Sequence, residues 1–180
     1  MFGSSESAYQ SEGTRDDATS VDPASFPLVE RGNQYEDFAE GDSFAHHWGR
    51  TLTEGDATLF AALTLAYNPL YFNAEHARAE GHPDLVVHPL LALCTVVGLS
   101  VEDLSEAGGP FLGIDGVTFH RPVYPGDTLT ASSVVVDRRE SEKRPGDGIV
   151  TWRTEGRNQR GEVVVDLHRT NLVRKREAPA

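Results

Sequence analysis

The sequence predicts an α+β domain in which an antiparallel sheet curls around one buried helix. Residues 88–104, HPLLALCTVVGLSVEDL, are the most continuously apolar stretch of the chain, and their length and lack of alternation favour a helix over a strand. After residue 104 the chain carries strand and turn signals and no second helix of comparable strength. A helix that is apolar on nearly every face must be covered by other elements, so we expect the later strands to wrap it.

The central helix has recognisable ends. Pro89 suits the first helical position, because the N–H that proline lacks would have no partner in the helix there. Glu102 and Asp103 mark the return to solvent. The stretch is shorter than the roughly 20 residues that span a bilayer, so it belongs in a protein core and not in a membrane. Cys94, the one cysteine of the chain, is expected to be a small buried hydrophobe in this helix.

Length and composition suit one domain. The chain has 180 residues, of which 38% are hydrophobic, enough for a substantial core. We expect the domain to occupy residues 29–176. Residues 1–28 have few large apolar side chains and are expected to form a disordered tail, and residues 177–180 a short C-terminal tail.

The charge of the chain limits its partners. A formal net charge of -12 disfavours nucleic acid, since binding phosphates requires a basic face. The N-terminal residues lack the basic region and apolar run of a signal peptide, which predicts a cytoplasmic protein. There is no glycine-rich phosphate loop, so nucleotide hydrolysis and dinucleotide redox chemistry are disfavoured.

The first half of the chain predicts one strand and two short helices. Residues 43–51 alternate as a strand. Thr53 with Asp56 resembles a capping box at the start of a helix, and the apolar face of that helix contains Leu59 and Leu63. Asn68-Pro69 then breaks the helix, and a second short helix follows over residues 74–79, with an asparagine before it as a cap.

The second half of the chain predicts the sheet. Four strands are expected, at residues 111–123, 128–136, 149–156 and 163–173. Turn-forming sequences separate them, including YPGD at 124–127 and NQRG at 158–161. Residues 138–148 form a charged connection between two of the strands.

Three segments carry a resemblance to a known family. The loop YNPLYFN at 67–73, the apolar helix after it and FHRPVYPGDTL at 119–129 resemble the MaoC-like enoyl-CoA hydratases. Residues 138–164 further resemble the branch that contains hydratases of mesaconyl-CoA and β-methylmalyl-CoA. The resemblance covers about residues 34–175. It implies a hot-dog fold, in which a sheet wraps a long helix and two subunits join their sheets edge to edge, and an acyl-CoA substrate with no separate cofactor.

The chain departs from this family at the expected acid and base. Such hydratases usually carry an Asp two residues before the Asn of Asn-Pro and a His two residues after the Pro. Here those positions hold Ala66 and Tyr71. Alanine cannot transfer a proton, and tyrosine is a poor general base at neutral pH. The familiar catalytic pair is therefore absent.

Three residues remain candidates for catalysis. His88, at the start of the central helix, is the best remaining base, with capping of the helix as the alternative. The Tyr71 hydroxyl can act as an acid or orient water if Asn68 holds it, or the ring can simply line a pocket. In the family the helix start binds the thioester carbonyl, but Pro89 removes one backbone donor from that turn.

Arg138, Arg139, Lys143 and Arg144 form the densest basic cluster of this acidic chain, called the basic cluster below. The cluster can receive the phosphates of coenzyme A, and the alternative is a solvated hairpin connection.

The histidines do not predict a metal site. His46 and His47 are neighbours in a predicted strand, so their side chains should point to opposite faces, one towards the core and one towards water. For the same reason at most one of His120 and Arg121 is expected to face the pocket. No spaced cluster of His, Cys and Asp is present, so no metal is expected.

These observations predict an acyl-CoA hydratase or dehydratase that acts on a short branched or carboxylated enoyl-CoA. The first alternative is a hot-dog subunit that binds acyl thioesters or a protein partner without chemistry. The second is a thioesterase. A sheet wrapped around one helix leaves an edge strand exposed, and pairing in a homodimer or higher homo-oligomer would cover it.

Overall fold

The core of the structure is an antiparallel sheet with one long helix packed on it. In this computed structural model, residues 25, 27 and 31–176 are described. The strands are β1 (Ser43–Ala45), β2 (Arg50–Thr51), β3 (Phe111–Phe119), β4 (Thr128–Glu140), β5 (Asp147–Arg157) and β6 (Val163–Arg174). They are ordered β1-β4-β5-β6-β3, and β2 also pairs with β4. The predicted tails, residues 1–28 and 177–180, lie outside the described residues apart from positions 25 and 27.

Four α-helices and two short 3₁₀ helices complete the described part of the chain. They are α1 (Glu54–Leu63), α2 (Ala74–Ala79), α3 (Pro89–Leu99), α4 (Val101–Leu104) and the 3₁₀ helices Tyr35–Asp37 and Pro69–Tyr71. The predicted α+β arrangement of a sheet around a central helix is thereby confirmed. None of the helices in the described residues is both long and apolar enough to cross a membrane.

The long strands show the alternation that places a sheet between core and solvent. Along β4 the side chains of Leu129, Ala131, Ser133 and Val135 are buried, and the residues between them are exposed. In β5 the fully buried Trp152 belongs to the same face. A period of two is expected when one face of a sheet covers the core.

The predicted central helix is divided in two. Ser100 separates α3 from α4, and its hydroxyl donates a hydrogen bond to the Val97 carbonyl at 2.7 Å. Helix α3 lies close to the sheet at Gly156, where an added Cβ would stand 2.3 Å from a methyl carbon of Val96. Only glycine allows the helix to approach β5 this closely.

One face of α3 is left uncovered in the single chain, so the strands cover the helix only in part. Leu90, Cys94 and Gly98 follow one another at helical spacing, and all three are exposed. The prediction that Cys94 is buried is therefore wrong. The sheet covers only the opposite side of the helix, where Ala92 and Val96 are buried.

Helix α1 starts as predicted, but the face that it packs against the core is not the predicted one. The Thr53 hydroxyl accepts from the Asp56 N–H at 3.1 Å, and the Asp56 carboxylate accepts from the Thr53 N–H at 2.9 Å. The core contact is made by small residues such as Ala57, whereas Leu59 and Leu63 are exposed. The apolar face of α1 thus looks outward.

The strand predicted at residues 43–51 is interrupted. Trp48 has φ 68°, a left-handed conformation that cannot continue a strand, and β1 and β2 lie on either side of it. His46 is buried and His47 is exposed, which confirms that one faces the core and the other faces water.

Candidate functional site

A cavity of about 260 Å³ lies where the 3₁₀ helix Pro69–Tyr71, the start of α3 and the end of β3 meet. We call it the Tyr71 cavity. Its walls are mostly apolar, with Leu70, Val87 and Phe119 among the lining residues. Its polar lining residues are Tyr71, His82, His120 and Arg121. An apolar cavity with a few polar groups is the usual form of a site for a small organic ligand.

Asn68 and Tyr71 have separate tasks in the loop that forms one wall. The Asn68 side-chain oxygen accepts from the Leu70 N–H at 3.1 Å and so caps the 3₁₀ helix. Tyr71 lines the cavity, and its ring centroid lies 4.6 Å from that of His88. The Asn68 side chain therefore fixes the loop, and the loop presents Tyr71 to the cavity.

His88 caps helix α3, which is the second of the two roles that the sequence suggests for it. Its Nδ1 accepts a hydrogen bond from the Leu90 N–H at 3.1 Å. Since a neutral imidazole has one acceptor nitrogen, Nε2 must carry the hydrogen. Burial lowers the pKa of His88, which favours this neutral form. In this arrangement the second ring nitrogen of His88, Nε2, is a hydrogen-bond donor and not a base.

The backbone donors of the first turn of α3 are all accounted for. Pro89 has no N–H, and the Leu90 N–H is bonded to the His88 side chain. The N–H groups of Leu91 and Ala92 point to the His88 carbonyl, at 2.9 and 3.4 Å. A helix usually starts with unpaired N–H groups that can hold an anion. None of these four positions supplies an unpaired N–H group.

The two positions where the family usually carries its acid and base lie at different cavities. Tyr71 lines the Tyr71 cavity, whereas Ala66 lines a separate apolar depression of about 270 Å³ with Tyr67 and Phe72. The substitution at residue 66 therefore leaves an apolar surface and not a polar gap beside Tyr71.

Two cavity residues have polar partners that sequence reasoning did not find. His82 Nδ1 lies 3.0 Å from the Tyr124 hydroxyl, and the pKa of Tyr124 is raised by burial and by the nearby Asp127 carboxylate. His120 Nε2 lies 2.5 Å from an Asp166 oxygen. These partners are distant in the sequence, and no local spacing signals them.

His120 and Arg121 both line the cavity, so the prediction that at most one of them faces it is wrong. They follow Phe119, the last residue of β3, and the alternation of a strand no longer applies there. The Arg121 side chain is 58% exposed, and its guanidinium lies 3.7 Å from the Glu162 carboxylate. This loose ion pair leaves the cation accessible.

The basic cluster lies at the other end of the sheet. Arg139, Lys143 and Arg144 line a cleft of about 380 Å³, and Arg138 stacks on the Tyr35 ring at 4.2 Å. The cleft reaches Leu172 on β6, whereas the Tyr71 cavity reaches Val164. Eight residues of extended strand span about 26 Å. The cluster and the cavity are therefore well separated within one chain.

No three His, Cys, Asp or Glu side chains in the described part of the chain are grouped so that they could hold a metal ion.

The amino-acid sequence of the chain is similar to those of several named proteins. A family model described as mesaconyl-CoA hydratase matches residues 18–180. The chain is 47% identical to a mesaconyl-CoA hydratase of Haloarcula marismortui, over 84% of this chain and 42% of that protein. It is 37% identical to a β-methylmalyl-CoA dehydratase of Chloroflexus aurantiacus, over 83% of this chain and 43% of that protein. The chain thus spans about half the length of these relatives.

Solved structures show the same fold. A MaoC domain protein dehydratase from Chloroflexus aurantiacus superposes with a TM-score of 0.78 at 34% identity, over 86% of this chain and 44% of that chain. A protein of Mycobacterium tuberculosis with a double hot-dog fold superposes with a TM-score of 0.69 at 25% identity, over 83% of this chain and 47% of that chain. The predicted hot-dog fold and the predicted family resemblance are both confirmed.

Proposed function

We propose that this chain, which belongs to the mesaconyl-CoA hydratase family, takes part in the reversible hydration of a short carboxylated enoyl-CoA. The observation that carries the proposal is Arg121, a lining residue of a largely apolar cavity whose side chain is accessible and only loosely paired with Glu162. The acyl chain of such a substrate is apolar and its far end is a carboxylate. A cavity with apolar walls and one arginine matches both parts.

Arginine is suited to this task because its planar guanidinium can bind a carboxylate through two parallel hydrogen bonds. The relatives are named for mesaconyl-CoA and β-methylmalyl-CoA, which are thioesters of dicarboxylic acids. In the proposed complex the free carboxylate of the acyl group replaces Glu162 as the partner of Arg121.

Hydration also requires that the thioester carbonyl be polarised as electrons move towards it. The first turn of α3 has its N–H groups engaged, so side chains must supply the donors. We propose the Tyr71 hydroxyl, with the neighbouring His88 Nε2–H, for this role. Asn68 holds the loop that carries Tyr71. No cofactor is proposed beyond the coenzyme A of the substrate, with the basic cluster as the candidate for its phosphates.

The test is the loss of absorbance of the enoyl thioester band with mesaconyl-CoA and with an uncharged enoyl-CoA. Arg121→Gln should lower kcat/KM for mesaconyl-CoA by about 10- to 100-fold, the value of a charge-assisted hydrogen bond. It should change little for the uncharged ester. Arg160→Gln is the matched control, because Arg160 also pairs with Glu162, at 2.9 Å, but does not line the cavity. Equal effects on both esters would contradict carboxylate recognition.

A second candidate function is a non-catalytic hot-dog unit that binds acyl thioesters. It is favoured by Ala66 and Tyr71 in place of the usual pair and by the engaged N–H groups at the start of α3. It predicts that mesaconyl-CoA binds in a calorimeter and is recovered unchanged. Release of free thiol, followed with a thiol reagent, would indicate a thioesterase instead.

We further propose that a second hot-dog unit, a second copy of this chain in the simplest case, covers the exposed side of α3 and the free edge of β3. Among the described residues, strand β3 pairs only with β6, and its exposed side chains include Phe111, Leu112 and Phe119. An open apolar edge of this kind is usually paired. The relatives are about twice as long, which leaves room for a second unit. Such an assembly is expected in the cytoplasm.

A further inference from the structure

His120 and Asp166 form a pair at the rim of the Tyr71 cavity that the proposed mechanism above does not use. His120 follows β3, and its backbone N–H donates to the Val164 carbonyl at 2.9 Å. Its Nε2 lies 2.5 Å from Asp166 Oδ2, two residues further along β6. His120 is thus held to the same strand at two points, once through its backbone and once through its ring. The His120 side chain is 40% exposed, so water and ligands can reach it.

The hydrogen bonding of His120 leaves it a free lone pair. An aspartate carboxylate only accepts hydrogen bonds, so Nε2 of His120 must donate. In the neutral imidazole Nδ1 is then the acceptor nitrogen, and no hydrogen bond to it is found within the described residues. His88 has the opposite arrangement, because its acceptor Nδ1 already binds the Leu90 N–H. Of these two histidines, His120 is the one arranged as a base.

We propose that His120, positioned by Asp166, is the group that transfers the proton in hydration of the enoyl thioester. The proposal rests on the proposed function. Nδ1 removes a proton from water while the water oxygen forms a bond to the β-carbon. The π electrons of the double bond move to the α-carbon, and the imidazolium returns the proton to it. One water is added, and the histidine ends as it began. The reverse sequence is dehydration.

The carboxylate of Asp166 would stabilise the imidazolium that forms in the middle of this sequence. Other charged or titratable groups near His120 are Arg121 with Glu162, Arg153 at 3.9 Å from Asp166, and His82 and Tyr71, which line the same cavity. Asp166 is a positioning residue and does not itself touch the substrate.

The experiment compares two histidines of similar exposure. His168 lies on β6 and is 3.8 Å from Asp115 on β3, so it too pairs with an aspartate across these strands. It does not line the cavity. His120→Gln should lower kcat with mesaconyl-CoA by about 10²- to 10⁴-fold, the usual effect of losing a general base. His168→Gln should stay within about twofold of the parent. Thermal unfolding of both variants checks that they fold.

Asp166→Asn gives a readout that a purely structural role would not move. Without the carboxylate the ring is held less firmly and the imidazolium formed during the reaction is less stable, so Asp166→Asn should lower kcat with mesaconyl-CoA by about 10- to 100-fold while KM stays near the parent value. Parental kcat in Asp166→Asn or in His120→Gln overturns the assignment while hydratase activity itself stands. A parent protein that binds mesaconyl-CoA and never hydrates it overturns the proposed function and this assignment together.

Discussion

His46 is hydrogen bonded to Asp103, with 2.6 Å between the His46 Nδ1 and an oxygen of the carboxylate. The His46 side chain is fully buried, and its Nε2 lies 2.8 Å from the Ser133 hydroxyl. Ser133 lies 2.7 Å from the Thr154 hydroxyl. A continuous line of hydrogen bonds thus runs from α4 into strands β4 and β5 and attaches the end of the central helix to the sheet.

Removing the carboxylate should destabilise the fold. Asp103→Ala leaves the buried His46 imidazole without its partner, which should lower the free energy of unfolding by about 1–3 kcal/mol in a urea titration. Asp103→Asn should have a smaller effect, because the amide oxygen can still accept from Nδ1. Glu102→Ala is the control, since its pair with His47 at 3.1 Å is exposed on both sides. Its effect should stay within about 0.5 kcal/mol. Equal losses for Asp103→Ala and Glu102→Ala would contradict a structural role for the buried pair.

This pair illustrates what the sequence can and cannot predict. Local alternation predicts that one of His46 and His47 is buried, because strand geometry is local. The partner, Asp103, is 57 positions away and reaches His46 only through the tertiary fold. The same holds at the candidate site, where His120 and Asp166 are separated by 46 positions. Local spacing predicts elements such as the helix that His88 caps. It does not predict polar pairs between residues that are far apart in the sequence.

The apolar surface shows a second limit of sequence reasoning. An apolar side chain such as Leu63 gives the same pattern whether it packs in its own core or against another unit. Leu63 is 75% exposed in the chain, and Leu90 is 48% exposed. The central helix could therefore be identified from its hydrophobicity, but the side of it that the sheet covers could not.

The cap at the start of α3 predicts a pH dependence of stability. The folded state holds the pKa of His88 below its ordinary value of 6.5 because the ring is buried. The unfolded chain therefore binds the proton more readily. The contribution of neutral His88 is fully present above pH 6.5 and is lost as the pH falls from 6.5 to the lower pKa of the folded state.

His88→Asn isolates this effect, because asparagine is a good helix cap and does not titrate in this range. The loss of unfolding temperature between pH 7.5 and pH 5 should be greater for the parent than for the variant. At pH 7.5, His88→Ala should be less stable than His88→Asn by about 1 kcal/mol, the value of the cap. Parallel curves of unfolding temperature against pH for the parent and His88→Asn would rule out a contribution of His88 protonation to stability.

The contact between α3 and β5 predicts a strong effect of a single methyl group. Gly156→Ala places a carbon 2.3 Å from a Val96 methyl, and either the helix or the strand must move. Overpacking of this kind costs about 1–3 kcal/mol. Gly113→Ala on β3 is the control, since nothing lies within 4 Å of the added carbon. The double variant Gly156→Ala/Val96→Ala should recover part of the loss, and additive losses would contradict a direct clash between these residues.

The last prediction concerns Cys94 as a reporter of assembly. It is the one cysteine of the chain and is exposed on the free face of α3, between Leu90 and Gly98. If a second hot-dog unit covers this face, a thiol reagent should label the native protein slowly and label the protein rapidly in urea. Light scattering should then give at least twice 19.6 kDa.

Cys94→Glu places a charge on this face, which is costly to bury in an interface. The variant should therefore shift the measured mass towards that of one chain. Ala79→Glu, at an exposed position at the end of α2, is the control and should leave the mass unchanged. Rapid labelling of the native protein together with the mass of a single chain would show that the face is open in solution, and the proposed assembly would then be wrong.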